Sequence, residues 1–266
     1  MSPSGTTVVF KNNRGDAVHA GLGLEFVRQL LLRPGQVIAT CRNPAEQGAH
    51  SLVELQREYG HRLQILRLDT WEVESINEAV ASVQQTFSHI NLLLNVSGVL
   101  HIPGLMSPET SLQKLTLDNM ERAFRTNAFG PILVSKGFLP LLLASGKEGQ
   151  ATEQKPAVIA NLSARVGSIG DNGLGGWYSY RASKAALNQF TKTLSIEAAK
   201  KGHVAAVALH PGTCDTDLTL PYQKNVRPEK LFSRERGVAQ LLQIIDSLTM
   251  EDSGRFIAWD GSDVPW

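Results

Sequence analysis

Two periods alternate along the apolar positions of this chain. Compact β-branched or aliphatic runs, which read as strands, lie at Thr6–Phe10, Gln36–Thr40, Arg62–Leu68, Asn91–Val96, Ala157–Leu162, Val204–Leu209 and Gly254–Ala258. Between them apolar residues recur every three or four positions, the spacing of amphipathic helices. The first such run, Leu24, Phe26, Val27, Leu30 and Leu31, follows Gly21-Leu22-Gly23 and stops at Pro34-Gly35. Further helices are predicted over Ala45–Tyr59, Val73–Phe87, Asn119–Ala144, Tyr178–Lys201 and Ser233–Leu248. The connections Val99–Asp118 and Thr213–Leu231 read as long loops, and Ser145–Pro156 as a mobile polar one. Strands separated by helices predict an α/β fold, a single doubly wound domain over residues 1–266 with a mostly parallel sheet of about seven strands.

Composition narrows this reading only a little. A hydrophobic content of 42% in 266 residues suits one large domain, and a net charge of +1 gives no support to a nucleic-acid surface. Two cysteines are too few for a disulfide framework, which points to a reducing, cytoplasmic setting. The start, MSPSGTTVVF, lacks a secretory n-region and h-region, although a cleaved transit peptide would leave an organelle open. No stretch reaches the roughly 18 consecutive apolar residues of a bilayer span, so no membrane partner is expected.

The candidate chemistry gathers at strand ends. Strand, glycine turn, helix and strand over Thr6–Thr40 form the unit that cradles a dinucleotide, with Gly21 and Gly23 letting backbone approach a pyrophosphate at a helix N-terminus. Glycines before a helix also occur as plain turns. After the second strand, where an acidic residue would bind a ribose 2′-hydroxyl, stands Arg42. Its forked donors suit a 2′-phosphate, favouring NADP(H) over NAD(H); the alternative is a surface arginine on a loop. Asp69, Asn95, Ser163 and Pro211-Gly212 also follow strands, at the sheet edge where such folds bind ligands. Tyr180 and Lys184, four residues apart on the predicted helix, point the same way. An ammonium beside the phenol is expected to lower its pKa and make it a usable proton donor. The same spacing also occurs as a solvated pair on a helix face.

With these elements in order, nearly the whole chain resembles the short-chain dehydrogenases/reductases. YSYRASKAALN, LHPGT and SGRFIAWDGSDVPW are similar to the branch holding C-factor and the sniffer-type carbonyl reductases. The resemblance implies a Rossmann-type NAD(P)-binding domain that reduces a ketone or aldehyde. Tyr180 would exchange a proton with the carbonyl oxygen. Lys184 would lower the phenol's pKa and hold the nicotinamide ribose. Asn127 would hold a water in a proton relay. Asp69 and Asn95 match positions on the adenine side, Gly98 the small-residue approach after the fourth strand, and Pro211, Gly212 and Thr216 the loop over the nicotinamide. Trp177 reads as a pocket wall. Family members assemble as homodimers or homotetramers through two long helices, here Asn119–Ala144 and Tyr178–Lys201. No metal is assigned.

Three departures set this chain apart. Gly21 and Gly23 fit the last two glycines of Gly-x-x-x-Gly-x-Gly, with the first falling on Ala17; alternatively Arg14-Gly15 is the family's Arg-Gly, Lys11 takes the first glycine's place, and residues 16–21 are inserted. Asn161-Leu162-Ser163-Ala164 puts Ala164 where the family's serine stands, leaving Ser163, or Ser168 nearby, as the hydroxyl. Asn-Val-Ser-Gly replaces Asn-Asn-Ala-Gly. The competing functions are a cofactor-sensing or signalling protein on the same fold and an NAD-specific dehydrogenase.

Overall fold

The computed structural model describes residues 5–10, 21–46, 49–145 and 155–266. Its strands are β1 (Gly5–Phe10), β2 (Gly35–Cys41), β3 (Leu63–Arg67), β4 (Leu92–Asn95), β5 (Ala157–Leu162), β6 (Val204–His210), β7 (Thr213–Cys214), β8 (Leu231–Phe232) and β9 (Phe256–Ala258). Seven of them form one sheet in the order β3-β2-β1-β4-β5-β6-β9, and every pairing is parallel. The predicted strands are all present. The β7–β8 pair, a two-residue ladder inside the predicted loop Thr213–Leu231 and at its end, is an addition.

Side chains alternate across the sheet, so one strand feeds two cores. Val9, Val37, Leu94, Ala160 and Val207 pack with α1 (Leu22–Leu31) and α7 (Arg234–Ser247) on one face. Val8, Ile38, Leu93, Ile159 and Ala206 pack with α3 (Val73–Thr86), α5 (Gly130–Ser145) and α6 (Tyr178–Lys201) on the other. Both faces are covered by helices, which explains why the central strands are almost uniformly apolar. The chain runs outward from β1 in one direction and from β4 in the other. That divergence opens a crevice at their carboxyl ends.

Two helix boundaries differ from the pattern. The second helix, α2 (His50–Tyr59), starts five residues beyond Ala45, because Asn43 turns the chain first: its Oδ1 accepts the Ala45 N–H and its carbonyl the Glu46 N–H. The long helix expected at Asn119–Ala144 is α4 (Leu117–Phe124) joined to α5 through a π-helical turn at Arg125–Phe129, which contains Asn127. The Thr116 hydroxyl caps its start by accepting the Asn119 N–H. The run Leu117–Ser145 is long and apolar enough to cross a bilayer by length and composition. The sequence reading missed this because charged residues interrupt it. Here Val134, Phe138 and Leu142 are fully buried in the protein's own core. Most of the predicted loop Ser145–Pro156 lies outside the described residues.

The depth at which α6 sits against the sheet is set by a glycine. Gly167, in the turn after β5, lies so close that a Cβ there would stand 2.6 Å from Lys184 Cβ and 2.9 Å from the Lys184 carbonyl carbon. The obstacle includes backbone, so it cannot rotate aside. Gly167→Ala is expected to push α6 off the sheet edge and cost about 1–3 kcal/mol, the scale of core overpacking, measured by urea unfolding.

Candidate active site

The helix that carries the paired tyrosine and lysine begins abruptly. Gly175, Gly176 and Trp177 take positive φ in succession, at 65°, 65° and 51°, and Trp177 is the only non-glycine residue to do so among the described residues. The chain then enters α6, whose first turn holds Tyr180 and whose second holds Lys184. This abrupt entry swings the Trp177 ring edge-on to Tyr180, at 6.3 Å between centroids, and against Tyr222 at 5.1 Å.

Both side chains face a cavity of about 460 Å³ at the carboxyl ends of the strands. One side is formed by Gly21, Leu22 and Gly23 at the start of α1, another by Val96–Gly98 after β4, and a third by Ser163–Val166 after β5. His210 to Cys214 and Thr216 to Thr219 close it beyond β6, with Trp177 and Tyr222 as an aromatic wall. Gly212 holds φ 73°, and a Cβ there would lie 2.6 Å from the Phe232 ring, so the loop turns at this point because it is glycine.

Burial controls the electrostatics. Lys184 is buried, its Nζ donating to the Leu162 carbonyl at 2.7 Å and lying 5.9 Å from the Tyr180 ring centroid. Loss of water around the ammonium lowers its pKa to about 7. The Tyr180 phenol is pushed above its ordinary value by the same cause, and its hydroxyl has no hydrogen-bond partner among the described residues. This corrects the expectation that Lys184 lowers the phenol's pKa. Removal from water disfavours phenolate and ammonium alike, and the ammonium is directed to a backbone carbonyl instead of the phenol oxygen.

The other predicted residues divide into two groups. Gly21, Gly23, Gly98, Ser163, Pro211, Gly212 and Thr216 line the cavity with Tyr180 and Lys184. Asn127 lies just behind it: its Oδ1 accepts the Val99 N–H at 2.7 Å, and its Nδ2 donates to the Val99 carbonyl and to Ser183 Oγ. A Cβ placed on Gly98 would lie 3.5 Å from Lys184 Nζ and 3.8 Å from Asn127 Oδ1, so the three positions meet. Asn95 donates to Ser135 Oγ and Asn161 Oδ1, tying the central strands to α5. Asp69 is buried at the end of β3 and accepts the Trp71 N–H. Arg42 is half-buried, its guanidinium 3.9 Å from Glu46. Arg14 and Gly15, like Lys11 and Ala17, lie outside the described residues.

The hydroxyl question has a geometric answer in part. Ala164 lines the cavity where the family's serine would stand. The Ser163 hydroxyl donates to Asn188 Oδ1 at 2.6 Å. Ser168 is turned into its own loop, donating to the Trp266 carbonyl and accepting the Asp171 N–H. Asn188 was not singled out from the sequence, although it stands one turn beyond Lys184 on the same helix face, a spacing that could have pointed to it. Tyr222 and His210 carried no such signal. Burial holds His210 well below its usual range, at about 4, and its Nδ1 is buried with no partner among the described residues.

Residues 17–227 match the family described as short chain dehydrogenase. Among solved structures the fold is similar to NADPH-bound carbonyl reductase from chicken fatty liver, with a TM-score of 0.84 and 32% identity covering 99% of both chains. It is also similar to the carbonyl reductase Sniffer of D. melanogaster, with a TM-score of 0.81 and 26% identity over 99% of this chain and 100% of that one. The C-signal protein of Myxococcus xanthus is 35% identical across 66% of this chain and 93% of its own length. On this likeness, and with a seven-stranded parallel sheet and its crevice in place, the chain belongs to the short-chain dehydrogenase/reductase family, in the branch of Sniffer-type carbonyl reductases, and is an oxidoreductase.

Proposed function

We propose that the protein reduces a ketone or aldehyde, using NADP(H) in preference to NAD(H), with Tyr180 as the proton donor. The observation that carries this reading is Tyr180: the residue lines the crevice, its hydroxyl has no hydrogen-bond partner among the described residues, and burial raises its pKa so that it keeps its proton. A phenol held in its neutral form is suited to give a proton to a developing alkoxide. The reverse reaction would first need a phenolate that this environment disfavours.

The crevice fits a dinucleotide. The N-terminus of α1 lines it, and among the described residues no side chain caps that end and a Cβ on Gly21 would meet nothing within 4 Å. The first-turn N–H groups of a helix suit a phosphate. Gly98 and Pro211-Gly212 supply close backbone on the far side. A reduced nicotinamide seated there would supply the hydride. The protein's own part is positional. Lys184 and Asn127 converge beside Gly98, where Lys184 holds the ribose side and Asn127 steadies the strand-end backbone through Val99. Trp177 and Tyr222 exclude water from one wall. Arg42, whose one ion pair among the described residues is a long one to Glu46, would hold the 2′-phosphate of a bound NADP(H) through its forked donors. Exposed Leu117, Met120, Phe129 and Ile196 on α4, the π turn and α6 support assembly into homodimers or homotetramers.

A second reading, a cofactor sensor with little turnover, is favoured by Ala164, since the carbonyl oxygen then has one fewer hydroxyl donor. The absence of such a donor costs a rate factor of about 10²–10³ elsewhere. Fluorescence titration with NADPH beside turnover of an aldehyde, ketone and quinone panel separates the two: tight binding with no turnover of any compound supports the sensor.

Three outcomes are expected of the reductase. Tyr180→Phe lowers kcat about 10²–10⁴-fold with NADPH affinity retained, the scale of a lost general acid; equal rates would remove Tyr180 from the mechanism. Arg42→Gln weakens NADPH roughly tenfold, the worth of a charge-assisted hydrogen bond, and leaves NADH unchanged in parallel titrations. Lys184 has a folded pKa of about 7 against an ordinary 10.5, so between these values the unfolded chain binds the extra proton and folded stability rises with pH. Below pH 7 the burial penalty is fully present. Lys184→Met should therefore raise Tm more at pH 6 than at pH 9; a difference of the opposite sign would show that Lys184 is not held near neutrality.

A further inference from the structure

The start of α6 has no cap of its own. Trp177 stands at the capping position in left-handed conformation, with no side-chain bond to the helix. The missing partner comes from the loop after β4, some 70 residues earlier. Glu109 is buried, at 2% exposure. Its Oε2 accepts the Ser179 N–H at 3.2 Å, its Oε1 accepts the Ser179 hydroxyl in a short bond, and its backbone carbonyl accepts the Trp177 N–H at 2.6 Å. A carboxylate at this end of a helix is favoured by the orphan N–H groups and by the helix dipole.

A second tie lies one turn on. Ser183 Oγ accepts from Asn127 Nδ2, and Asn127 is bound on its other side to the backbone of Val99. Ser179 and Ser183 are four residues apart, as are Tyr180 and Lys184, so both ties lie on one helix face and the reacting pair on the next. Two anchors on one face fix rotation about the helix axis as well as depth. With side chains reaching about 5–6 Å from the axis, a rotation of about 10° shifts a side-chain tip by on the order of 1 Å.

We infer that Glu109 is a positioning residue for the reaction: by capping α6 from the loop after β4, it sets the rotation of the helix and thereby aims the Tyr180 hydroxyl into the cavity. The inference rests on the reductase reading for its rate effect, but its structural half stands apart from it. Glutamine fits the same role, since its carbonyl oxygen accepts the Ser179 N–H and its amide donates to Ser179 Oγ. Alanine removes both contacts and leaves the Ser179 N–H buried and unsatisfied.

The test compares wild type, Glu109→Ala, Glu109→Gln and Ser179→Ala with NADPH and 4-nitrobenzaldehyde as the probe carbonyl, beside NADPH titration and amide exchange of residues 177–184. Glu109→Ala is expected to lose about 10- to 100-fold in kcat, the scale for a reacting group moved by about 1 Å, with NADPH affinity unchanged and exchange of the first turn accelerated. Glu109→Gln should return kcat to within about threefold, and Ser179→Ala should lose about three- to tenfold, as for one hydrogen bond. A folded Glu109→Ala with wild-type kcat, equal losses in kcat and NADPH affinity, or no rescue by glutamine would each overturn the inference. Should Glu109→Ala not fold, Ser179→Ala and Glu109→Gln decide by the same criteria. Should wild type leave the probe untouched, the reductase reading fails for that substrate, and unaltered exchange in the variants would still refute the cap.

Discussion

The bond from Lys184 Nζ to the Leu162 carbonyl is the contact on which the site depends. It joins the second turn of α6 to the last residue of β5, and it does so with an amine removed from water. One carbonyl does not replace the water that burial removes from an ammonium, so the amine keeps its charge only near and below neutrality. The strand end and the helix must therefore meet at one depth. Gly167 makes that depth accessible by removing a side chain from the contact. Asn188, one turn further, repeats the arrangement by taking the Ser163 hydroxyl and donating to the Gly167 carbonyl. The helix is thus laced to the end of β5 at several points, and Tyr180 takes its place as a consequence of that lacing.

The fold was legible because its information is local. Each core strand is an apolar run of a few residues, and each helix shows its stripe, so β1 to β6 and β9 appear within a few residues of their predicted ends. The boundaries that moved were set by contacts the periodicity does not encode, such as the Asx turn at Asn43 that delays α2. The pair Tyr180 and Lys184 was equally legible, since its spacing is a property of one helix. Glu109 was not: its partner is Ser179, far along the chain, and Pro108-Glu109-Thr110 has no pattern of its own. The direction of the phenol's pKa was misjudged for a related reason. Spacing tells that an amine is near a phenol, but it does not tell how little water remains around either, and here that deficit decides the sign.

Asn95 and Asn161 show how a strand-end polar residue can be structural without losing its place beside a site. Asn95 donates to Asn161, and Asn161 donates to Thr191 on α6, so a chain of carboxamides crosses the sheet from α5 to α6. Such a network, inside a buried core, is favourable to the extent that its members are paired; the donors of both amides are, while Asn95 Oδ1 is buried with no partner among the described residues. It fixes β4 against β5, and with them the two backbone edges, Val96–Gly98 and Ser163–Val166, that face each other across the cavity. The resemblance implies that Asn95 steadies the central strand and the adenine side, and its bonds to Ser135 and Asn161 are those of a brace at the end of β4.

Trp177 links the helix cap to the wall of the cavity. A bulky residue in left-handed backbone costs on the order of 1–3 kcal/mol and persists where surrounding structure over-determines it. Here the surroundings are specific: the Glu109 carbonyl takes the Trp177 N–H, Gly175 and Gly176 permit the approach, and Tyr222 packs on the ring. Relaxing Trp177 to ordinary backbone would withdraw its indole from Tyr180 and open the wall of the cavity to water. The strained residue and the buried cap are therefore parts of one device: the first turn of α6 is held by groups outside the helix so that its own leading residue is free to form the pocket. A helix capped in the usual way, by its own serine or aspartate, would place a small polar residue at that position and leave Tyr180 without its aromatic neighbour.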